Sequence, residues 1–173
     1  MKQSLPALIL FTGALALGGA EEGRAASFGL GVGTVDPEGV LRTPWFTVNM
    51  RWKLNETLML EPEAGYWTKT TELIQDFETT MKDSSLGLNL VHPIHRKRVG
   101  FFVGAGLGVH LLESSADVQG TATEGDRELK EALHLFGGLE YDLRGLTLFG
   151  AVRFDIIADA NQSKIYGGVR FGK

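Results

Sequence analysis

The chain contains no cysteine in its 173 residues. A disulfide framework, a thiolate-held metal and a thiol nucleophile are therefore excluded. Proline is scarce at 5 residues. Charge of either sign is also modest. A formal net charge of -4 leaves no basic footprint for nucleic acid. Hydrophobic residues make up 43%, an ordinary share that indicates no helical membrane bundle. What the chain has in quantity is glycine, 23 residues of it, and much of it alternates with apolar side chains.

The N-terminus has the layout of a secretory signal peptide: a short positive start (Met1-Lys2-Gln3), the apolar run Leu5 to Leu17, then Gly18-Gly19-Ala20. The run is shorter than the ~20 residues of a spanning helix. Cleavage is expected after Ala20, with a second option near Ala25 or Ala26. Residues 1–20 are thus expected to be a signal peptide, and residues 21–173 an exported domain.

That domain reads as eight segments of period two, the strand signature. They are Ser27–Thr34, Trp45–Leu54, Leu58–Thr68, Ser84–Val91, Val99–Glu113, Leu129–Leu143, Leu146–Ile157 and Ser163–Phe171. The fifth, "VGFFVGAGLGVHLLE", sets Val99, Phe101, Val103, Ala105, Leu107 and Val109 against Gly100, Gly104, Gly106 and Gly108. Pro62 lacks a ladder donor, so a bulge or local break is expected there. Connections alternate in length. "NET", "HPIHRKR" and "RG" are short, whereas residues 69–83 and 114–128 are long and acidic. Short turns at one end and long loops at the other are the layout of an outer-membrane barrel.

Alternation alone does not say which face is inside. Three features place the polar face there. It carries charges of both signs that could pair in a narrow lumen: Arg51, Lys53, Arg153 and Arg170 with Glu61, Glu63, Glu140 and Asp155. It is rich in glycine, as an eight-stranded barrel with little internal room requires. The apolar face carries aromatics near strand ends. Trp52, Phe101, Tyr141 and Phe171 fall toward the short turns, and Phe46, Tyr66 and Phe154 toward the long loops, as two girdles would. His110 and His134 fall on the lumen-facing register of neighbouring strands. The expected lumen polar network is therefore these eight charged residues and two histidines. The bare glycine face is expected to leave space for the charged side chains. The fold expected is all-β: an eight-stranded antiparallel up-and-down transmembrane β-barrel with short periplasmic turns and longer extracellular loops.

On "FFVGAGLGVHL" and the closing "YGGVRFGK", residues 27–173 resemble the small outer-membrane β-barrels of the OmpA-domain, OmpX and opacity-protein type. The resemblance implies an outer-membrane location, contact with outer-membrane lipid and insertion by the barrel-assembly machinery. Such proteins often end on an aromatic residue; here Gly172 and Lys173 follow Phe171. No peptidoglycan-binding domain is expected after the barrel.

Some barrels of this kind hydrolyse lipid A acyl chains with a Ser-His-acid constellation. Ser114, Ser115, His110, His134 and Glu140 are the candidates, but both histidines fall on the lumen register, away from lipid. Gly104-Ala105-Gly106 begins a dinucleotide-type glycine pattern, yet position 109 is Val and no helix signal follows. His92 and His95 flank a turn proline without a clear partner for metal. The expectation is a non-enzymatic barrel, a monomer without cofactor or metal. Its lumen is plugged, its role is structural or surface-interacting, and the acidic loops 69–83 and 114–128 are available to an extracellular ligand. Two alternatives are a soluble lipocalin-like carrier with the apolar face inside, and a lipid A-modifying barrel enzyme.

Overall fold

The structure, a computed structural model, describes residues 26–38, 42–74, 77–94, 98–118 and 121–172. The signal-peptide segment and its cleavage options before Ala26 lie outside these residues. Eight strands follow one another: β1 (Ala26–Pro37), β2 (Thr43–Lys53), β3 (Met59–Ile74), β4 (Phe77–Pro93), β5 (Val99–Val118), β6 (Thr121–Asp142), β7 (Leu146–Ile157) and β8 (Gln162–Phe171). Each pairs antiparallel with the next, and β8 returns to β1, closing the barrel. Closure leaves no sheet edge around the barrel wall, so backbone donors and acceptors there are paired except where the β2–β3 ladder lapses beside Pro62.

The alternating sequence makes these strands because each needs one face for a crowded interior and one for an apolar exterior. Inward positions are buried in turn: Trp45, Thr47, Asn49 and Arg51 on β2, and Phe149, Ala151, Arg153, Asp155 and Ile157 on β7. Outward positions form a continuous aliphatic surface. Leu88, Leu107, Leu133 and Ile156 lie side by side across β4 to β7, all exposed. An apolar surface of this extent does not sit in water on a monomer. Of the aromatics expected in girdles, Phe46, Tyr66, Phe101, Tyr141, Phe154 and Phe171 point outward and are exposed, and Trp52 is half-covered. Trp52, Phe101, Tyr141 and Phe171 stand within three residues of strand ends at the short-turn end, and Phe46 lies beside Tyr66 across β2 and β3.

The short connections are tight. Between β6 and β7, Arg144 (φ 58°) and Gly145 (φ 102°) both adopt left-handed backbone, and the Leu143 amide donates to Leu146 O at 2.7 Å. Two consecutive positive φ values define the turn whose twist matches a hairpin, and glycine takes the second at no steric cost.

The long connections are largely paired strand. β3 and β4 continue as a hairpin to Ile74↔Phe77, and β5 and β6 to Val118↔Thr121. β4 and β5 also pair with each other up to Phe77↔Val118. The four arms therefore form one sheet that outruns β1, β2, β7 and β8. At about 3.3 Å per residue, the 22 residues of β6 measure roughly 70 Å along the strand, against roughly 33 Å for the 10 of β8. Hydrophobic alternation fades there because both faces of the arms are polar, yet Thr68, Thr70, Thr71, Thr79 and Thr80 still favour extended backbone. The register shifts fall in these arms, at Glu72/Ile74 and Glu113/Ser115. At Pro62 there is no bulge. The β2–β3 ladder lapses between Asn49↔Glu63 and Trp52↔Leu60 and resumes in the same register, while Pro62 stays paired with Leu88 on β4.

Leu107 is 69% exposed at the middle of the apolar row. Leu107→Arg is expected to cost about 2–4 kcal/mol of stability in a bilayer, measured by urea unfolding in lipid vesicles. Gly106→Arg should fail differently, in yield rather than in lipid dependence. A Cβ at that position already meets Asn89 and the Leu88 carbonyl, at 2.2 and 2.5 Å.

Candidate functional site in the barrel interior

The interior is built on close approach between bare backbone and flat rings. A Cβ on Gly104 would lie 2.3 Å from the Phe136 ring, and one on Gly138 would lie 2.6 Å from Phe102. A Cβ on Gly108 or Gly87 would lie 2.3 or 2.6 Å from the His134 ring. The sequence-based expectation that the glycine face leaves room for charged side chains is thus corrected at these four positions. These four glycines are covered by aromatic and imidazole rings, because a planar ring lies flat where no Cβ stands, whereas Gly29 and Gly106 face Asn49 and Asn89. Trp45, Trp67, Phe102, Phe136, Phe149 and Tyr166 all point inward and are buried. Trp67 and Tyr166 share the polar face in the sequence pattern. The ring-against-glycine pairing between strands is the signal that the alternation pattern alone does not carry.

The charges occupy two separate clusters. Near the short-turn end, Arg51 bonds Glu61 (2.6 Å) and Glu140 (2.5 Å), and Arg170 bonds Glu140 and, at 3.4 Å, Glu61. Two guanidinium groups and two carboxylates close a ring of four. Rings stack on the cations: Arg51 lies 5.0 Å over Phe102, and Arg170 lies 4.8 Å over Phe149. Such stacking stabilises a partly desolvated guanidinium.

The second cluster centres on Asp155. Its Oδ1 accepts from Arg153 Nε and its Oδ2 from Lys164 Nζ, both at 2.5 Å. Arg153 also bonds Glu63. Lys164 lies 4.7 Å over Trp45. Arg153 and Lys164 are direct cross-strand neighbours on β7 and β8, a like-charge pair that repels unless a shared anion lies between them. Asp155 is that anion. His110 and His134 complete the cluster, both fully buried. His110 Nδ1 lies 2.8 Å from Asp83 Oδ2, which also accepts from Gln162 Nε2 at 2.8 Å and Trp67 Nε1 at 3.1 Å. His134 on β6 reaches past β5 to Asn89 Oδ1 on β4, at 3.1 Å. That reach is open because the intervening strand carries Gly106 and Gly108.

Of the ten residues expected in the lumen network, Arg51, Glu61, Glu140 and Arg170 meet in the first cluster, and Glu63, His110, His134, Arg153 and Asp155 in the second. Lys53 is the correction. It ends β2 on the inward register but is exposed, and it enters none of the ion pairs among the described residues. At the last strand position the wall no longer encloses it. Four contributors are absent from that expectation: Lys164, Asp83, Asn89 and Gln162. Lys164 and Asn89 carry the inward parity in the sequence. Asp83 falls in the presumed loop and Gln162 in the presumed turn, where alternation gives no direction.

The Ser-His constellation does not form. The hydrogen bonds of the two histidine rings go to Asp83 and Asn89, and Ser114 Oγ bonds the Asp126 carbonyl in the hairpin arms.

Removing one partner from a buried pair leaves an uncompensated charge. Arg153→Leu leaves Glu63 without its cation and Asp155 with Lys164 alone, and should destabilise the barrel by roughly 3–5 kcal/mol. Adding Glu63→Leu should recover part of that loss. Equilibrium unfolding of the single and double variants measures both.

No protein-family model and no curated protein matches the sequence. Solved structures do match. The chain is similar to Neisserial surface protein A (NspA), with a TM-score of 0.64 at 15% identity over 87% of this chain and 97% of that one. It is similar to Ail, the attachment invasion locus protein of Yersinia pestis, with a TM-score of 0.61 at 14% identity over 87% and 97%. The N-terminal β-barrel domain of Pseudomonas aeruginosa OprF gives 0.60 at 11% over 85% and 97%. At such identities the likeness is one of fold: this chain has the eight-stranded architecture of the small outer-membrane β-barrels.

Proposed function

We propose that the protein is a non-enzymatic, monomeric barrel of the bacterial outer membrane with a plugged lumen and a surface-binding role. The single observation that carries this reading is the inversion of polarity. Ion pairs fill the interior while a belt from Leu30 to Ile165 faces outward. That inversion favours hydrocarbon around the barrel and weighs against a lipocalin-like carrier, which needs an apolar interior. Residues 1–20 direct export on this reading, and the assembly machinery inserts residues 21–173 into outer-membrane lipid.

The plug rests on the two ion clusters and the aromatic rings packed between the walls. Eight strands leave an interior just wide enough for side chains. Ser85 stands across from His110, but among the described residues the two histidine rings hydrogen-bond Asp83 and Asn89 rather than a serine, which supports a role without acyl hydrolysis.

The binding surface is the four-stranded sheet of hairpin arms. Apart from the buried Asp83, segments 69–83 and 114–128 together hold seven carboxylates against three basic side chains. Ail has been crystallised with the heparin analogue sucrose octasulfate. A polyanion of that kind would be repelled by the arms here, which suit a basic partner instead.

Cell fractionation tests the location. Recovery with the detergent-insoluble outer membrane is expected, and release as a soluble periplasmic protein would refute it. In planar bilayers the purified protein should show no conductance or only small, brief openings; a large, steady ohmic conductance would refute the plug. For the surface, salt-sensitive binding of a cationic peptide is expected, with sucrose octasulfate left unbound.

A further inference from the structure

We propose that His110, His134 and Asp155 form a divalent transition-metal site inside the barrel, of the kind zinc occupies. The three residues come from adjacent strands β5, β6 and β7, and all are buried. One ligand atom from each lies within 4.8 Å of the others. His110 Nε2 is 3.8 Å from Asp155 Oδ2, and His134 Nε2 is 3.9 Å from Asp155 Oδ1.

The tautomers follow from the partners. Asp83 Oδ2 already accepts from Trp67 and Gln162, so His110 Nδ1 meets it as a donor. His134 Nδ1 likewise donates to the Asn89 carbonyl oxygen. In the neutral rings both Nε2 atoms then carry lone pairs. Both are buried without a hydrogen-bond partner. Two unpartnered lone pairs thus converge beside the Asp155 carboxylate, whose own oxygens are held by Arg153 and Lys164. A ligating histidine typically has its other nitrogen fixed by a carboxylate or carbonyl, and both rings have that arrangement. The His134 ring is also held flat by Gly87 and Gly108.

Charge points the same way. Around this space Glu63, Asp83 and Asp155 stand against Arg153 and Lys164, one negative charge in excess. The other cluster is balanced. Lys164 and Arg153 each engage one Asp155 oxygen, but a carboxylate oxygen has a second lone pair to give. Two imidazoles and one carboxylate are a donor set that zinc and its neighbours accept. Tetrahedral bonds of about 2.0–2.1 Å place ligand atoms roughly 3.3 Å apart, so on binding the site closes by about half an ångström at the histidine–carboxylate contacts and by up to about 1.5 Å at the widest separation. The metal would staple β5, β6 and β7 from within.

The test uses the full-length protein, folded in detergent and stripped with a chelator, with cobalt(II) and zinc as separate probes. Cobalt should give a visible ligand-field spectrum saturating at one equivalent and displaced by zinc. Saturating zinc should raise the temperature at which the folded band disappears on unboiled gels by roughly 5–10 °C. His110→Gln with His134→Gln should abolish both effects, whereas His92→Ala, at an exposed turn, should leave them intact. No cobalt spectrum in the wild type overturns the site, whether or not the double variant folds. So does a spectrum that survives the double variant or vanishes with His92→Ala.

Discussion

Eight strands close around a space that admits little more than one layer of side chains. Every inward residue must therefore fit its neighbours across the lumen, and every inward charge must meet an opposite one. The interior meets both demands by dividing the work. Glycine on one strand is matched by a ring on the next, as with Gly104 and Phe136, or Gly138 and Phe102. Charge is gathered in two clusters, with rings stacked on the cations. The exterior follows, since period two sends each intervening residue outward, and those residues are apolar.

The same arrangement explains how distant strands communicate. His134 bonds Asn89 two strands away because β5 is bare between them. Arg51 on β2 reaches Glu140 on β6 across the lumen, and Arg153 on β7 reaches Glu63 on β3. These contacts span the barrel's diameter rather than its circumference. They make the fold a packed core inside a closed sheet, where an open tube would leave each charge solvated on its own.

Much of this was legible in the sequence, because the barrel wall imposes a strict two-residue period. The strand count, the lumen placement of Arg51, Glu61, Glu63, Arg153, Asp155 and Arg170, and the outward aromatics all follow from parity. Where the period loses contrast, legibility stops. Segments 69–83 and 114–128 carry polar residues on both faces, so paired arms were indistinguishable from loops by hydrophobicity. Asp83 was hidden for that reason, although it anchors His110. Lys53 shows the opposite limit: the parity is right, but the wall ends there. The partition of charges into two clusters depends on which rings lie over which glycines, and that register between strands is a property of the closed sheet.

With the polar face inside and the apolar face against hydrocarbon, the two faces differ in what can reach them. The absence of native cysteine allows a direct test. Single cysteines replace outward Val32, Val103 and Val152, and inward Thr47, Ser85 and Ala151, in the protein embedded in outer membranes. Each is then challenged with a lipid-soluble thiol reagent. The outward three are exposed by 55%, 46% and 43%, and the inward three by 3%, 5% and 5%. Reaction at the three valine positions and protection at the other three is expected. The reverse pattern, or equal reactivity at all six, would contradict that placement of the two faces.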